Sequence, residues 1–141
     1  MQHLTTNEKQ TFNLAKKIAK KLKGGEIIGL IGNLGAGKTI FTKGLAAGLG
    51  IEQTVNSPTF ILMKVYPIRN LNSDIKNLIH IDAYRIKSEQ DIIAIGAQEY
   101  FARPDTVVII EWADKIKKIL PKKTRFVNIK NKEGDKRIIN I

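Results

Sequence analysis

The stretch Gly32-Asn33-Leu34-Gly35-Ala36-Gly37-Lys38-Thr39 decides the fold. It matches the phosphate-binding pattern G-x-x-x-x-G-K-[ST] throughout, and it lies between an apolar run at 26–31 and a helix-forming segment at 38–49. Glycines let the backbone wrap closely around phosphates with its N–H groups pointing inward. Lys38 is therefore predicted to bridge the β- and γ-phosphates of a nucleotide, and the Thr39 hydroxyl to ligate Mg²⁺. A glycine-rich turn without this role is the alternative, which the flanking strand and helix disfavour.

A phosphate-bound Mg²⁺ also needs a carboxylate at the end of a nearby buried strand, and two segments offer one. The run 78–82 ends in Asp82, and the run 106–111 ends in Glu111. Only the second has no polar interruption, as a central strand covered on both faces would have none. Glu111 is thus predicted to be the metal carboxylate and Asp82 a second acid near the γ-phosphate. For each, the alternative is a carboxylate that caps a helix or faces water. His80 is predicted to be satisfied by a neighbouring carboxylate, with a proton shuttle as the alternative.

Strand-like and helix-like segments alternate along the rest of the chain, which indicates one domain over 1–141. Helices are predicted at 6–22, 38–49, 88–101 and 113–120. Strands are predicted at 26–31, 59–66, 78–82, 106–111 and in a terminal hairpin of 124–130 with 136–141. Residues 69–77 look like a loop or hairpin connection. This order predicts an α/β, P-loop NTPase-like three-layer domain with a mixed, mainly parallel central sheet and antiparallel additions at its edges.

Composition bounds the environment of the protein. The chain has 141 residues and no cysteine, which excludes disulfides and thiolate chemistry. No apolar run approaches the length of a membrane span or a signal peptide, so a cytoplasmic location is expected. The net charge is +11, with lysine clusters at 16–23 and 115–123. These clusters are either solvated faces, enriched by codon bias, or a surface that meets RNA or an acidic partner.

Four motifs in this order carry a family resemblance. They are the loop at 32–39, Ser57-Pro58-Thr59-Phe60, His80-Ile81-Asp82-Ala83-Tyr84-Arg85 and Ile110-Glu111-Trp112. Together they closely resemble the TsaE family of bacterial tRNA threonylcarbamoyladenosine biosynthesis ATPases, over essentially the whole chain. The resemblance implies a P-loop ATPase that uses ATP and Mg²⁺. It also implies action with a complex of TsaB and TsaD, of which TsaD is the transferase, so that tRNA is engaged indirectly.

The resemblance also implies roles for individual residues. Thr39 and Glu111 would hold Mg²⁺, and Asp82 would be the acid needed for hydrolysis, with Lys38 assisting. Ser57 and Thr59 would lie in a switch-like loop near the γ-phosphate. The remaining residues would contact the nucleotide or support the site. The nucleotide would contact Asn33, Leu34, Gly35, Ala36, Gly37, Lys38, Thr39 and Ile40. Thr11 and Arg137 would lie near the adenine. Tyr84, Arg85 and Trp112 would support the site or contact a partner.

Three positions depart from the family pattern, and other functions stay open. Asn33 replaces a usual Asp, Ile40 a usual Thr and Ala83 a usual Leu. Loss of the hydroxyl at position 40 is expected to weaken nucleotide affinity and to leave activity in place. The alternatives are a small-molecule or nucleotide kinase, and a nucleic-acid-binding module in which the nucleotide is only a ligand. The five scattered arginines disfavour a kinase lid.

Overall fold

Strands and helices alternate in residues 1–58 and 61–141, the parts of the chain that the computed structural model describes. The strands are β1 (Gln2–Thr5), β2 (Ile27–Ile31), β3 (Met63–Pro67), β4 (Asn77–Asp82), β5 (Thr106–Glu111), β6 (Arg125–Asn131) and β7 (Arg137–Asn140). The helices are α1 (Glu8–Ala19), α2 (Lys38–Gly48), α3 (Glu89–Ala94), α4 (Ala97–Phe101) and a 3₁₀ helix (Ala113–Ile119).

All seven strands form one sheet in the order β1-β7-β6-β2-β5-β4-β3. The four inner strands β6, β2, β5 and β4 are parallel. The outer strands β3, β7 and β1 pair antiparallel with their neighbours. This confirms the predicted mixed, mainly parallel sheet with antiparallel additions at its edges. It also places β5 between β2 and β4, so that Glu111 and Asp82 lie side by side in register at the carboxyl ends of their strands.

Helices cover both faces of the sheet, which confirms the three-layer prediction. On one face α1 and α2 pack against apolar side chains such as Leu30, Leu78 and Ile109. On the other face α3, α4 and the 3₁₀ helix pack against Ile27, Ile79 and Ile110. Strand β5 is buried along its whole length because both its faces are covered.

Close packing of α1 on α2 fixes the direction in which α2 leaves the phosphate loop. A Cβ atom built on Gly44 would lie 2.2 Å from the backbone oxygen of Phe12. One built on Gly48 would lie 2.5 Å from the backbone oxygen of Lys16. The two helices therefore approach more closely than any side chain at these positions would allow.

Several predicted boundaries were wrong for local reasons. Helix α1 is shorter than 6–22, because Asn7 caps its start and the bonds from Lys21 and Leu22 tighten its last turn. Of the strand predicted at 59–66, residues 59 and 60 lie outside the described residues, and strand β3 begins at Met63, after Leu62 adopts a left-handed conformation with φ 61°. The segment 88–101 is mostly helical, as predicted, but it forms two short helices separated at Gly96.

Two further elements differ from the sequence prediction. The segment at 113–120 is a 3₁₀ helix interrupted at Ile116 rather than an α-helix. Strand β1 was not predicted at all, because four largely polar residues carry little periodicity. Its partner β7 lies at the far end of the chain, and the pairing confirms the predicted terminal hairpin while extending it by one strand.

Candidate functional site

The phosphate loop joins the buried strand β2 to helix α2, and its lysine is folded back onto it. Lys38 Nζ donates to the carbonyl oxygens of Gly32, at 2.5 Å, and Asn33, at 2.8 Å. The residue is only 5% exposed. Burial lowers the pKa of Lys38, and the nearby carboxylates of Glu111, Asp82 and Asp114 oppose that shift. The ammonium group thus lies inside the curve of the loop, at the amino end of α2.

Glu111 lies against the first turns of α2, as the strand order requires. Its side chain is 3% exposed, and Oε2 accepts a hydrogen bond from Thr39 Oγ1 at 3.2 Å. Thr39 Oγ1 also lies 3.3 Å from Ser57 Oγ. The hydroxyl groups of the loop and of the predicted switch-like segment therefore meet the strand-end carboxylate at one point.

Thr42 and His80 contact the other oxygen of the same carboxylate. His80 Nε2 lies 2.9 Å from Glu111 Oε1, and Thr42 Oγ1 lies 3.3 Å from it. The prediction that a neighbouring carboxylate satisfies His80 is confirmed. Sequence reasoning missed Thr42, although its position one helical turn after Lys38 places it on the same face of α2.

Asp82 lies beside Glu111 at the mouth of the site. Its Oδ1 accepts a hydrogen bond from the backbone N–H of Tyr84 at 2.9 Å. Burial raises the pKa of Asp82, while the Tyr84 N–H lowers it and the charge of Glu111 raises it further. A carboxyl group with this bias takes up a proton more readily than an exposed aspartate does.

Trp112 covers the lysine and adopts an uncommon backbone conformation. Its φ is 59° and its ψ is 40°, a left-handed conformation that is rare for a bulky residue. Lys38 Nζ lies 3.9 Å from the centre of the indole ring, and the Tyr84 ring lies 5.0 Å from it. Lys115 Nζ donates to the Tyr84 carbonyl oxygen at 2.5 Å. Conformations of this kind concentrate at functional sites, where the surroundings stabilise them.

Lys38, Thr39 and Glu111 line one open cleft of about 360 Å³. The predicted site residues in its wall are Leu34, Gly35, Gly37, Lys38, Thr39, Ile40, Ser57, Asp82, Tyr84, Arg85, Glu111, Trp112 and Arg137. Asn33 and Ala36 belong to the loop but do not line this cleft, and Ala36 is buried. Thr59 lies outside the described residues. Glu8 lines the cleft and was missed by sequence reasoning.

The two residues that were assigned loosely to the adenine lie in different surroundings. Arg137 is buried, and its Nε donates to the Ala36 carbonyl oxygen at 3.0 Å, so it supports the phosphate loop from beneath. Its Nη2 lies 3.9 Å from Glu8 Oε1. Thr11 is fully buried in α1, where its hydroxyl is 2.8 Å from that of Thr5. The structure therefore brings Arg137 to the cleft and leaves Thr11 outside it.

The donor atoms at the centre of the cleft fit a magnesium ion. Thr39, Ser57 and Glu111 offer hydroxyl and carboxylate oxygens, the hard ligands that Mg²⁺ prefers. Among the described residues, no group of three or more His, Cys, Asp or Glu side chains forms a metal cage. A site of this kind suits Mg²⁺ held by one or two side chains together with phosphate oxygens.

The lysine clusters lie mostly away from this cleft. The ten lysines of the two clusters are all exposed. Lys17 from α1 and Lys21, which follows that helix, line a second groove with Arg125 from the start of β6. Lys115 is an exception, since it contacts Tyr84 at the cleft. Within the described residues, no helix is both long and apolar enough to span a membrane.

The sequence of this chain is similar to that of one known protein family over nearly its whole length. The profile of the family described as "Threonylcarbamoyl adenosine biosynthesis protein TsaE" matches residues 5–139. The tRNA threonylcarbamoyladenosine biosynthesis protein TsaE of Bacillus subtilis is 42% identical over 135 residues, which are 96% of this chain and 80% of that protein. The protein of the same name from Rickettsia typhi is 37% identical over 140 residues, or 99% of this chain and 92% of the relative.

A solved structure shares the fold. The crystal structure of Bacillus subtilis YdiB superposes with a TM-score of 0.79 at 36% sequence identity. The match covers 99% of this chain and 82% of that one.

Proposed function

This chain belongs to the TsaE family of threonylcarbamoyl adenosine biosynthesis proteins, and from that premise we propose that it binds ATP with Mg²⁺ in the phosphate-loop cleft and hydrolyses it. The main support for the proposal is that an ammonium, a hydroxyl and a carboxylate group lie together in this cleft. The Lys38 ammonium lies inside the loop, and the Thr39 hydroxyl contacts the Glu111 carboxylate. An ammonium, a hydroxyl and a buried acid in this arrangement are what a nucleoside triphosphate and its cation require.

Different residues of the chain would bind the phosphates, hold Mg²⁺ and activate the attacking water. The loop N–H groups and the amino end of α2 would bind the phosphates, and Lys38 would exchange its two loop carbonyls for β- and γ-phosphate oxygens. Thr39 and Glu111 would hold Mg²⁺, which when bound neutralises the charge that develops on the γ-phosphoryl group. Asp82 would orient the attacking water and accept its proton, for which its raised pKa suits it.

A partner is proposed to complete the site. Leu34, at 73% exposure, and Tyr84, at 42%, are large apolar or aromatic side chains at the rim of the cleft. We propose that the TsaD and TsaB proteins, acting as a complex, are the partners, so that hydrolysis by the isolated chain is slow. The threonylcarbamoyl transfer itself would belong to TsaD, and contact with tRNA would be indirect.

Reconstitution tests the proposal. Phosphate release from ATP is measured for the chain alone, with TsaB and TsaD, and with both partners and tRNA, using Lys38→Ala as the inactive control. We expect slow Mg²⁺-dependent release alone and clear stimulation by the partners. Release that is equal in Lys38→Ala and the unmodified chain would contradict the proposal.

The same materials test the two alternatives. Phosphorylation of a nucleoside or nucleoside monophosphate by the pure protein would favour the kinase. Binding of tRNA to the isolated chain that weakens steeply with salt would favour the nucleic-acid-binding module, and it would point to the exposed lysines as the contact surface.

A further inference from the structure

The two oxygens of the Glu111 carboxylate face different surroundings. Oε2 faces the Thr39 hydroxyl in the cleft, at 3.2 Å. Oε1 points into the protein, where His80 Nε2 lies at 2.9 Å and Thr42 Oγ1 at 3.3 Å. One oxygen is thus turned to the cation site and the other is held by buried side chains.

Two buried side chains contact Oε1, and only His80 has no competing hydrogen-bond acceptor among the described residues. Thr42 Oγ1 has a single hydrogen, and it also lies 3.0 Å from the Lys38 carbonyl oxygen, a shorter distance than to Glu111. A hydroxyl donates to one acceptor at a time. His80 Nε2 has no competing acceptor among the described residues, and the imidazole is fully buried.

The contact with Glu111 assigns the hydrogen of the His80 ring. An ionised carboxylate only accepts hydrogen bonds, so with Glu111 ionised it is Nε2 that carries the hydrogen. Nδ1 is buried and has no hydrogen-bond partner within the described residues. Within the described residues, the contact with Glu111 is therefore the hydrogen bond that the His80 ring makes.

We propose that His80 is a positioning residue, which holds Glu111 in the one rotamer that presents Oε2 to Thr39 and the cation. Fixing a glutamate side chain costs rotamer entropy. A hydrogen bond to a charged group is among the stronger ones in proteins and is of a size that offsets that cost. The proposal rests on the proposed function, since it concerns the same cation site.

A matched pair of amides tests this role. In His80→Gln the side-chain amide nitrogen reaches about as far as Nε2, whereas in His80→Asn it stops near the level of Nδ1. The affinity for a non-hydrolysable ATP analogue is measured by calorimetry with Mg²⁺ and with excess EDTA. For His80→Asn we expect a loss of roughly 10- to 100-fold in the presence of Mg²⁺, the usual effect of removing a group that orients a metal ligand. With EDTA its affinity should equal that of the unmodified chain, and His80→Gln should stay near the unmodified chain in both conditions.

Two results would overturn the positioning role. One is an unchanged Mg²⁺ effect in His80→Asn, and the other is an equal loss with and without Mg²⁺, which would indicate damage to the loop. If the unmodified chain binds no nucleotide, the proposed function fails instead.

The contact itself is then tested without metal or nucleotide. His80→Asn and Glu111→Gln are combined in a double-mutant cycle of urea unfolding. Positioning predicts that the shift of the urea midpoint caused by His80→Asn is smaller when Glu111→Gln is already present. Equal shifts in both backgrounds would refute it.

Discussion

Gly37 and Gly35 of the phosphate loop form a natural comparison, because both are left-handed and only one is crowded. Their φ angles are 106° and 76°. A Cβ atom on Gly37 would lie 2.8 Å from Arg137 Nε and 3.1 Å from its Cδ, whereas one on Gly35 would meet nothing within 4 Å. Gly37→Ala should therefore be much more harmful than Gly35→Ala.

The difference in stability follows from the contacts of Arg137. In either variant the left-handed alanine costs roughly 1–2 kcal/mol. In Gly37→Ala the guanidinium must also move, and it is buried and bonded to the Ala36 carbonyl oxygen. Loss of a hydrogen bond from a charged group costs about 1.5–3 kcal/mol more. Gly37→Ala is thus expected to lose roughly 2.5–5 kcal/mol of unfolding free energy, a large share of the about 5–15 kcal/mol typical of a domain.

Urea unfolding of the two variants measures the difference, and Arg137→Ala supplies the control. In the Arg137→Ala background the obstacle is absent, so Gly37→Ala should there cost no more than Gly35→Ala does. Equal losses for the two glycine variants in the unmodified background would refute the reasoning. So would an unchanged loss for Gly37→Ala in the absence of the arginine side chain.

Three further perturbations follow from the structure. Lys38→Ala removes the ammonium from the loop, so ATP turnover should fall by roughly 100- to 1,000-fold or more, and turnover within a few-fold of normal would contradict its role. Asp82→Asn should make the protein more stable at pH 7, because burial raises the pKa of Asp82 and ionisation is therefore unfavourable in the folded state. This gain should shrink as the pH falls through the raised pKa of the folded carboxyl, and it should disappear below about 4, the ordinary pKa of an unfolded aspartate, where the carboxyl becomes protonated in both states; denaturant curves that show no such trend would contradict the assignment. Gly44→Ala would place a methyl group 2.2 Å from the Phe12 carbonyl oxygen. The clash should cost about 1–3 kcal/mol of stability, more than the gain of about 1 kcal/mol in helix propensity. Urea curves that show a more stable protein would be inconsistent with this packing.

The centre of the site could be predicted from the sequence because its signals are local. The glycines of the loop at 32–39, with the strand before it and the helix after it, predict the conformation of this loop. The uninterrupted apolar run before Glu111 indicates a central strand, and the sheet order confirms it. Asp82 was predicted to be a second acid of the same site, and the register places it beside Glu111 because parallel strands end at the same edge.

Contacts between distant parts of the chain could not be predicted in the same way. The position of Arg137 under the loop depends on how β7 joins the sheet, and its pairing with Glu8 depends on where α1 begins. Thr11 was placed near the adenine by the family resemblance alone, and strand β1 was not predicted. Once β1 is present, Thr5 satisfies the Thr11 hydroxyl inside the protein. A short polar edge strand leaves too weak a pattern in the sequence for this to be foreseen.

A crystal structure with a non-hydrolysable ATP analogue and Mg²⁺ tests the central claim most directly. The triphosphate should lie against the backbone N–H groups of 35–39, with Lys38 turned from the Gly32 carbonyl to the β- and γ-phosphates. The cation should lie next to Thr39 Oγ1 and the Oε2 atom of Glu111. A nucleotide bound elsewhere on the protein, or a cleft that stays empty at saturating analogue, would contradict the account.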